Sequence, residues 1–169
     1  ARYRYGWDTA MVGITLAGVG ICSMIVQGGL VRPIVARLGE RRTLILGLLA
    51  GAIGFVIYGL APTGPIFWTG LPIMAFWGLA SPAAQGIMTG KVEPTEQGRL
   101  QGAIGSIMGI TGIIGPSLFG RTFAASIDPA YGIDLPGTAF VMAGVFLAIA
   151  TLIGWRVAEA PKPATAAAK

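Results

Sequence analysis

Histidine is absent from the 169 residues, and cysteine occurs once, as Cys22. Without imidazole the chain has neither the commonest metal ligand nor the side chain that carries protons near neutral pH. A single thiol has no partner within the chain, and Cys22 lies in an apolar run where it reads as a small packing residue rather than a nucleophile. Charge is scarce as well: 11% of residues are ionisable against 54% hydrophobic, and the mean hydropathy is +0.73. Soluble domains carry about 25% charged residues. No membrane-buried pair of carboxylates, no Ser-His-Asp set and no cluster of metal ligands can be assembled from these residues, so the sequence predicts no enzyme, no cofactor and no metal site. The chain opens on Ala1 without a basic leader and cleavage site, which reads as a fragment with no signal peptide.

What the chain has instead is apolar length. Five stretches, 9–31, 43–61, 66–89, 100–119 and 137–157, are long enough to cross a hydrocarbon core of about 30 Å, which takes roughly 20 helical residues. All seven acidic residues (Asp8, Glu40, Glu93, Glu96, Asp128, Asp134 and Glu159) lie between or beyond these stretches. The twelve basic residues do the same, with Arg156 just inside the end of the last. An ionised side chain at mid-bilayer costs about 3 kcal/mol or more, so this segregation is what immersion in lipid demands. The fold class predicted is an all-α membrane protein with five transmembrane helices in one domain over residues 1–158, followed by a disordered cytoplasmic tail over 159–169.

The net charge of +5 does not point to nucleic acid, because the basic residues are separated by apolar stretches and form no stripe. They report topology. Arg32, Arg37, Arg41, Arg42, Lys91, Arg99, Arg156, Lys162 and Lys169 fall on one side of the predicted spans, and Arg2, Arg4 and Arg121 on the other. By the positive-inside rule the first group is cytoplasmic, so the sequence enters the membrane from outside and ends inside. Trp7, Trp68 and Trp155 stand near span ends, where amphipathic rings prefer to lie; Trp77 does not. The short Ala61-Pro62-Thr63-Gly64-Pro65 connection makes the second and third helices antiparallel neighbours. The connection 121–136 is longer, with Asp128-Pro129 and Asp134 as turn signals.

Three features carry functional readings. The turn around Arg37, Gly39, Glu40, Arg41 and Arg42 is either a topological anchor facing anionic headgroups or a latch in which Arg37 and Glu40 contact helix ends. In the third helix Pro82 removes a backbone donor beside Gln85, marking either a pore-facing wall or an amide that only bonds a neighbouring helix. Gln27 and Gln101 are further candidates for a substrate cavity, although Gln27 also reads as an interface residue close to Arg32. In the fourth helix Gly102, Gly105, Gly109, Gly112 and Gly115, followed by Pro116 and Gly120, leave one face without side chains, so close helix packing is expected there, with flexure at Gly112–Pro116. Gly47/Gly51 and Gly86/Gly90 repeat the spacing more weakly.

Several stretches together carry a family resemblance: Arg4-Tyr5-Gly6-Trp7, Ala36-Arg37-Leu38-Gly39-Glu40-Arg41-Arg42, Pro82-Ala83-Ala84-Gln85-Gly86, Gln97-Gly98-Arg99-Leu100-Gln101-Gly102 and Gly115-Pro116. In this order and spacing, over about residues 3–158, the chain resembles helices eight to twelve of the tetracycline-efflux branch of the drug:proton antiporters in the major facilitator superfamily. The resemblance implies a twelve-helix exporter of the bacterial inner membrane whose two halves enclose a substrate cavity and rock between two openings. Its partners are then the lipid bilayer, a small lipophilic or drug-like substrate, protons, and a missing N-terminal half. The Arg37–Arg42 turn looks like the second-half counterpart of the family's gating loop, with Ala36 in place of an expected aspartate. Gly112–Pro116 looks like an echo of the antiporter motif of helix five. Tetracycline exporters carry an acid where this chain has Gly51, so the resemblance places proton coupling in the missing half. A non-transporting scaffold or subunit, and an uptake or sugar-type facilitator, are the alternatives.

Overall fold

The structure is a computed structural model that describes residues 5–128 and 135–158. It is built from helices, with no strand among the described residues. In chain order these are α1 (Thr9–Ile25), α2 (Val31–Leu60), α3 (Gly64–Ala75), α4 (Ala80–Thr89), α5 (Gln97–Ile127) and α6 (Thr138–Val157). A π-helical stretch, Val26–Leu30, joins α1 to α2, and 3-10 turns occupy Phe76–Leu79 and Pro94–Glu96. Asp8 caps α1 by accepting the Met11 backbone N–H at 2.8 Å.

Length and composition alone give four candidate membrane crossings, the first running 52 residues from Thr9 to Leu60. A straight helix of that length would measure about 78 Å, far more than a bilayer core. Its packing shows that it doubles back. The Trp68 indole N–H donates to Thr15 Oγ1 at 3.1 Å, Gly18 lies against Leu71, and Gly78 lies against Gln27, so α1 runs parallel to α3. Tyr58 stacks on Phe67 with centroids 4.2 Å apart, while Gly54, Gly51 and Gly47 meet Met74, Trp77 and Ala80 in turn, so the later part of α2 runs antiparallel to α3. The reversal falls at Gly39, whose φ of +76° and ψ of 164° interrupt α2. Only glycine adopts that combination readily. Thr43, fully buried, donates its hydroxyl to the Gly39 carbonyl at 2.8 Å and holds the turn from the far side.

The result is five crossings among the described residues: span 1 (9–38), span 2 (40–60), span 3 (64–89), span 4 (97–127) and span 5 (138–157). Two helix boundaries differ from the predicted ones. The expected loop between 31 and 43 is helical on both sides of Gly39, because arginines favour helix. The fourth helix was expected to stop at residue 119 and runs on to Ile127, taking Arg121 and the start of the expected connection with it. The third helix, expected to be interrupted at Pro82, passes through a 3-10 turn over Phe76–Leu79. Asp128 follows the end of α5 in extended conformation. Arg2, Arg4, Pro129, Asp134, Glu159, Lys162, Lys169 and the 159–169 tail lie outside the described residues.

Spans 1, 2, 3 and 5 form a cluster. Span 5 lies antiparallel on span 2: Gly137 and Val141 meet Gly59, Gly144 meets Val56, Leu147 meets Gly51, and Gly154 meets Leu44 and Leu48. At the Gly64 end, Tyr5, Trp7, Phe67, Trp68, Tyr58, Phe140, Phe55 and Trp77 form a continuous network of rings, with centroids 4.2 to 6.3 Å apart at each contact. The Tyr5 hydroxyl donates to the Ala61 carbonyl at 2.7 Å. Span 4 meets span 5 near its C-terminal end, through Phe119 against Phe146 and Thr122 against Met142. Apolar side chains face outward all round, Ile14 at 60%, Ile113 at 77% and Leu152 at 59% exposed. Such a surface is stable against hydrocarbon, and helices satisfy their own backbone there.

Candidate functional site

Two irregular helical segments face each other near the middle of the cluster, and each has a cause in the sequence. Pro82 has no N–H to give the Gly78 carbonyl one turn earlier, and the chain tightens into the 3-10 turn Phe76–Leu79 just ahead of it. On span 1 the Val26–Leu30 stretch, with Gly28 and Gly29 weakening the α-helix, widens into a π-turn that carries Gln27. Beneath them Val26, Ala75 and Leu79 are buried together, with Cys22 and Val31 packed alongside. The Gln27 side chain lies across Gly78: a Cβ there would stand 3.2 Å from both Cγ and Nε2 of Gln27.

This junction opens into a groove of about 610 Å³ lined by Gln27, Val31, Gly78, Ser81, Pro82 and Gln85. The volume lies in the range of small-molecule sites, about 300–1,000 Å³. Gln27 and Gln85 are thus brought to one wall, with two amides and a hydroxyl and no Asp, Glu, Lys or Arg. Such a wall can exchange hydrogen bonds with a polar edge of a lipophilic molecule but offers no counter-ion. Gln101 is not there. It lies exposed near the start of α5. Ser81 and Gly78 were missed by the sequence reading, yet Pro82 pointed to Gly78, since the carbonyl that a proline frees is always four residues earlier.

The Arg37–Arg42 turn lies at the opposite end from the ring network. The Glu40 carboxylate sits over Gly86 of span 3, where a Cβ would leave it no room, and its Oε2 is buried without a hydrogen-bond partner among the described residues. Arg41, rather than Arg37, reaches a helix end: its Nη2 donates to the Trp155 carbonyl at the C-terminus of α6, where a cation is favoured. Arg37 and Arg42 are exposed.

The glycine face of span 4 does not pack as expected. Nothing lies within 4 Å of a Cβ built on Gly102, Gly105, Gly109, Gly112 or Gly115, and α5 continues as one helix through Pro116. No segment of the described chain approaches that face. Span 2 behaves oppositely: a Cβ on Gly51 would come within 2.8 Å of the Trp77 ring and 2.9 Å of Leu147. The position that the resemblance aligns with an acid therefore has no room for a carboxylate while Trp77 stays where it is.

Apolar helical crossings, two of them irregular where they line a groove, describe a polytopic membrane protein. The sequence matches the Major Facilitator Superfamily over residues 2–169, and the chain belongs to that family, one of membrane transporters and not of enzymes. It is similar to the tetracycline resistance protein, class D, of Salmonella ordonez, at 35% identity over 151 residues, 89% of this chain and 38% of that protein. It is similar also to the tetracycline resistance protein, class G, of Vibrio anguillarum, at 37% over 123 residues, 73% of this chain and 31% of that protein. Hippocampus abundant transcript-like protein 1 of Rattus norvegicus is 24% identical over 172 residues, 94% of this chain and 34% of that protein. The chain spans about a third of the length of the curated relatives it matches. No solved structure matches it.

Proposed function

We propose that this chain supplies five helices of one half of a secondary transporter that exports a small lipophilic or drug-like molecule from a bacterial cell, by alternating access and in exchange for protons. The observation that carries the reading is the groove at the Gln27–Gln85 wall, where two helices depart from α geometry at facing positions. Backbone irregularity at membrane depth is tolerated only where protein or a water-filled cavity satisfies it. Two relatives are named for tetracycline resistance, which supports a drug-like substrate and outward transport. The proton-coupling acid then lies in the other half, since the spans described here carry no Asp or Glu at mid-depth.

In this reading the arginine-rich end faces the cytoplasm. The Glu40–Gly86 and Arg41–Trp155 contacts latch spans 2, 3 and 5 in one state. Span 4, with Gly109, Gly112, Gly115, Pro116 and Gln101, meets the partner half. The open glycine face of span 4 also suits a scaffold that does no more than dock a partner helix, and the two readings differ at Gln85. In the full-length protein with Cys22→Ala, a Gln85→Cys variant should react with a membrane-impermeant thiol reagent in everted vesicles, and a transported drug should slow that reaction. A folded variant that stays unlabelled defeats the exporter reading in favour of the scaffold.

A further inference from the structure

The Tyr5–Asp8 segment ahead of span 1 has no role in the function proposed above, yet each of its four residues does something distinct. Gly6 has a φ of +63° with nothing within 4 Å of a Cβ built there, so the backbone turn, not crowding, calls for glycine. The turn brings the rings of Tyr5 and Trp7 to one side, 5.1 Å apart. The Tyr5 hydroxyl donates to the carbonyl of Ala61, the residue that ends span 2, at 2.7 Å. Carbonyls at a helix end have no donor within the helix, and Ala61 is 1% exposed, so the phenol supplies what water supplies elsewhere. Trp7 lies on Gly64, the first residue of span 3: a Cβ there would stand 2.8 Å from Trp7 Cζ2, and Phe67 meets the indole edge-on at 5.7 Å. Asp8 then caps the first turn of span 1.

Rings at a membrane surface ordinarily form a belt, and a belt asks only for headgroup depth. A belt tryptophan needs no glycine beneath it, and a belt tyrosine turns its hydroxyl to water. Here both side chains are half-buried and turned onto the hairpin between spans 2 and 3. One turn further into span 3, the Trp68 indole N–H donates to the buried Thr15 of span 1. Two hydrogen bonds and a ring seated in a gap thus tie spans 1, 2 and 3 together at this end. A displacement of the chain at Tyr5 therefore reaches the hairpin directly, without passing along span 1.

We infer that Tyr5–Asp8 is a clasp that stays shut through the transport cycle and makes the ends of spans 1, 2 and 3 at Gly64 one moving piece. This rests on the exporter reading, and the test separates the two. It uses the full-length protein with its native cysteines replaced, in everted vesicles, with tetracycline as the probe. Trp7→Cys combined with Gly64→Cys removes the indole and so makes room for the second side chain, which leaves the fold intact and the clasp undone; a melting temperature near the parent's checks the first point. Tetracycline uptake should fall about tenfold in this pair, and bridging the two thiols with ethylene bismethanethiosulfonate should bring it back to within about twofold of the parent. Tyr5→Phe, which keeps the ring and loses only the hydroxyl, should slow uptake about threefold. If bridging arrests uptake, the segment is a gate that has to open; if uptake is indifferent to the pair and to the bridge, it is a belt and no more. Either result overturns the clasp and leaves the exporter reading standing. If Gln85→Cys stays unlabelled in the otherwise unaltered protein, both fall.

Discussion

Spans 2 and 4 are both rich in glycine at helix-packing intervals, and they use it in opposite ways. In span 2 a Cβ on Gly47, Gly51, Gly54 or Gly59 would run into a neighbour at 2.6 to 3.0 Å, because spans 3 and 5 press their backbones and rings into those gaps. In span 4 the corresponding positions face open space. Small-residue spacing therefore states that a helix is able to be approached, not that its own chain does the approaching. What separates the cases is the supply of partners: span 2 has span 3 on one side and span 5 on the other, whereas the glycine face of span 4 has no neighbour within 4 Å among the described residues.

The largest difference should appear between Gly47→Leu and Gly109→Leu in the detergent-solubilised full-length protein. The first drives a side chain toward the Ala80 backbone nitrogen, 2.7 Å from the Cβ position, where nothing flexible can yield. A loss of about 3 kcal/mol or outright failure to fold is expected. The second enters open space, and its melting temperature should stay near that of the parent, within about 0.5 kcal/mol. Equal losses in a thermal unfolding assay would show that span 4 is packed as tightly as span 2.

Next in size is Gly39→Ala, which forces a Cβ onto a backbone that only glycine adopts readily and should cost about 1–3 kcal/mol in the same assay. Gly102→Ala, in a regular helix with nothing nearby, should instead stabilise by about 0.5–1 kcal/mol. The smallest effect is expected for Trp68→Phe. It keeps a ring in the network and removes only the N–H donated to Thr15, worth about 0.6 kcal/mol between membrane helices. A loss several times greater would mean that this hydrogen bond sets the register of spans 1 and 3.

The number of crossings, the 61–65 hairpin and the bend at Pro82 were legible in the sequence, because apolar length, turn residues and a missing N–H are local causes. The helical character of 32–38 and 121–127 was not, since hydropathy marks where the hydrocarbon ends and helical hydrogen bonding does not stop there. Gln27 and Gln85 could be named as polar groups inside apolar runs, but their meeting on one wall depends on how spans 1 and 3 pack. Gln101 had the same local credentials and is left outside by the position of span 4. Trp77 was visible only as the tryptophan that missed the interfacial belt. Its place against Gly51 and Phe55 gives the anomaly a cause, since the room for its indole is made by a glycine 26 positions away.

The Tyr58–Phe140 ring contact at one end, and the Arg41 contact with Trp155 at the other, fasten spans 2 and 5 twice. Doubly fastened staves in a barrel tilt as one piece and do not slide past one another. Any swing of this pair in the membrane would thus carry spans 2 and 5 together.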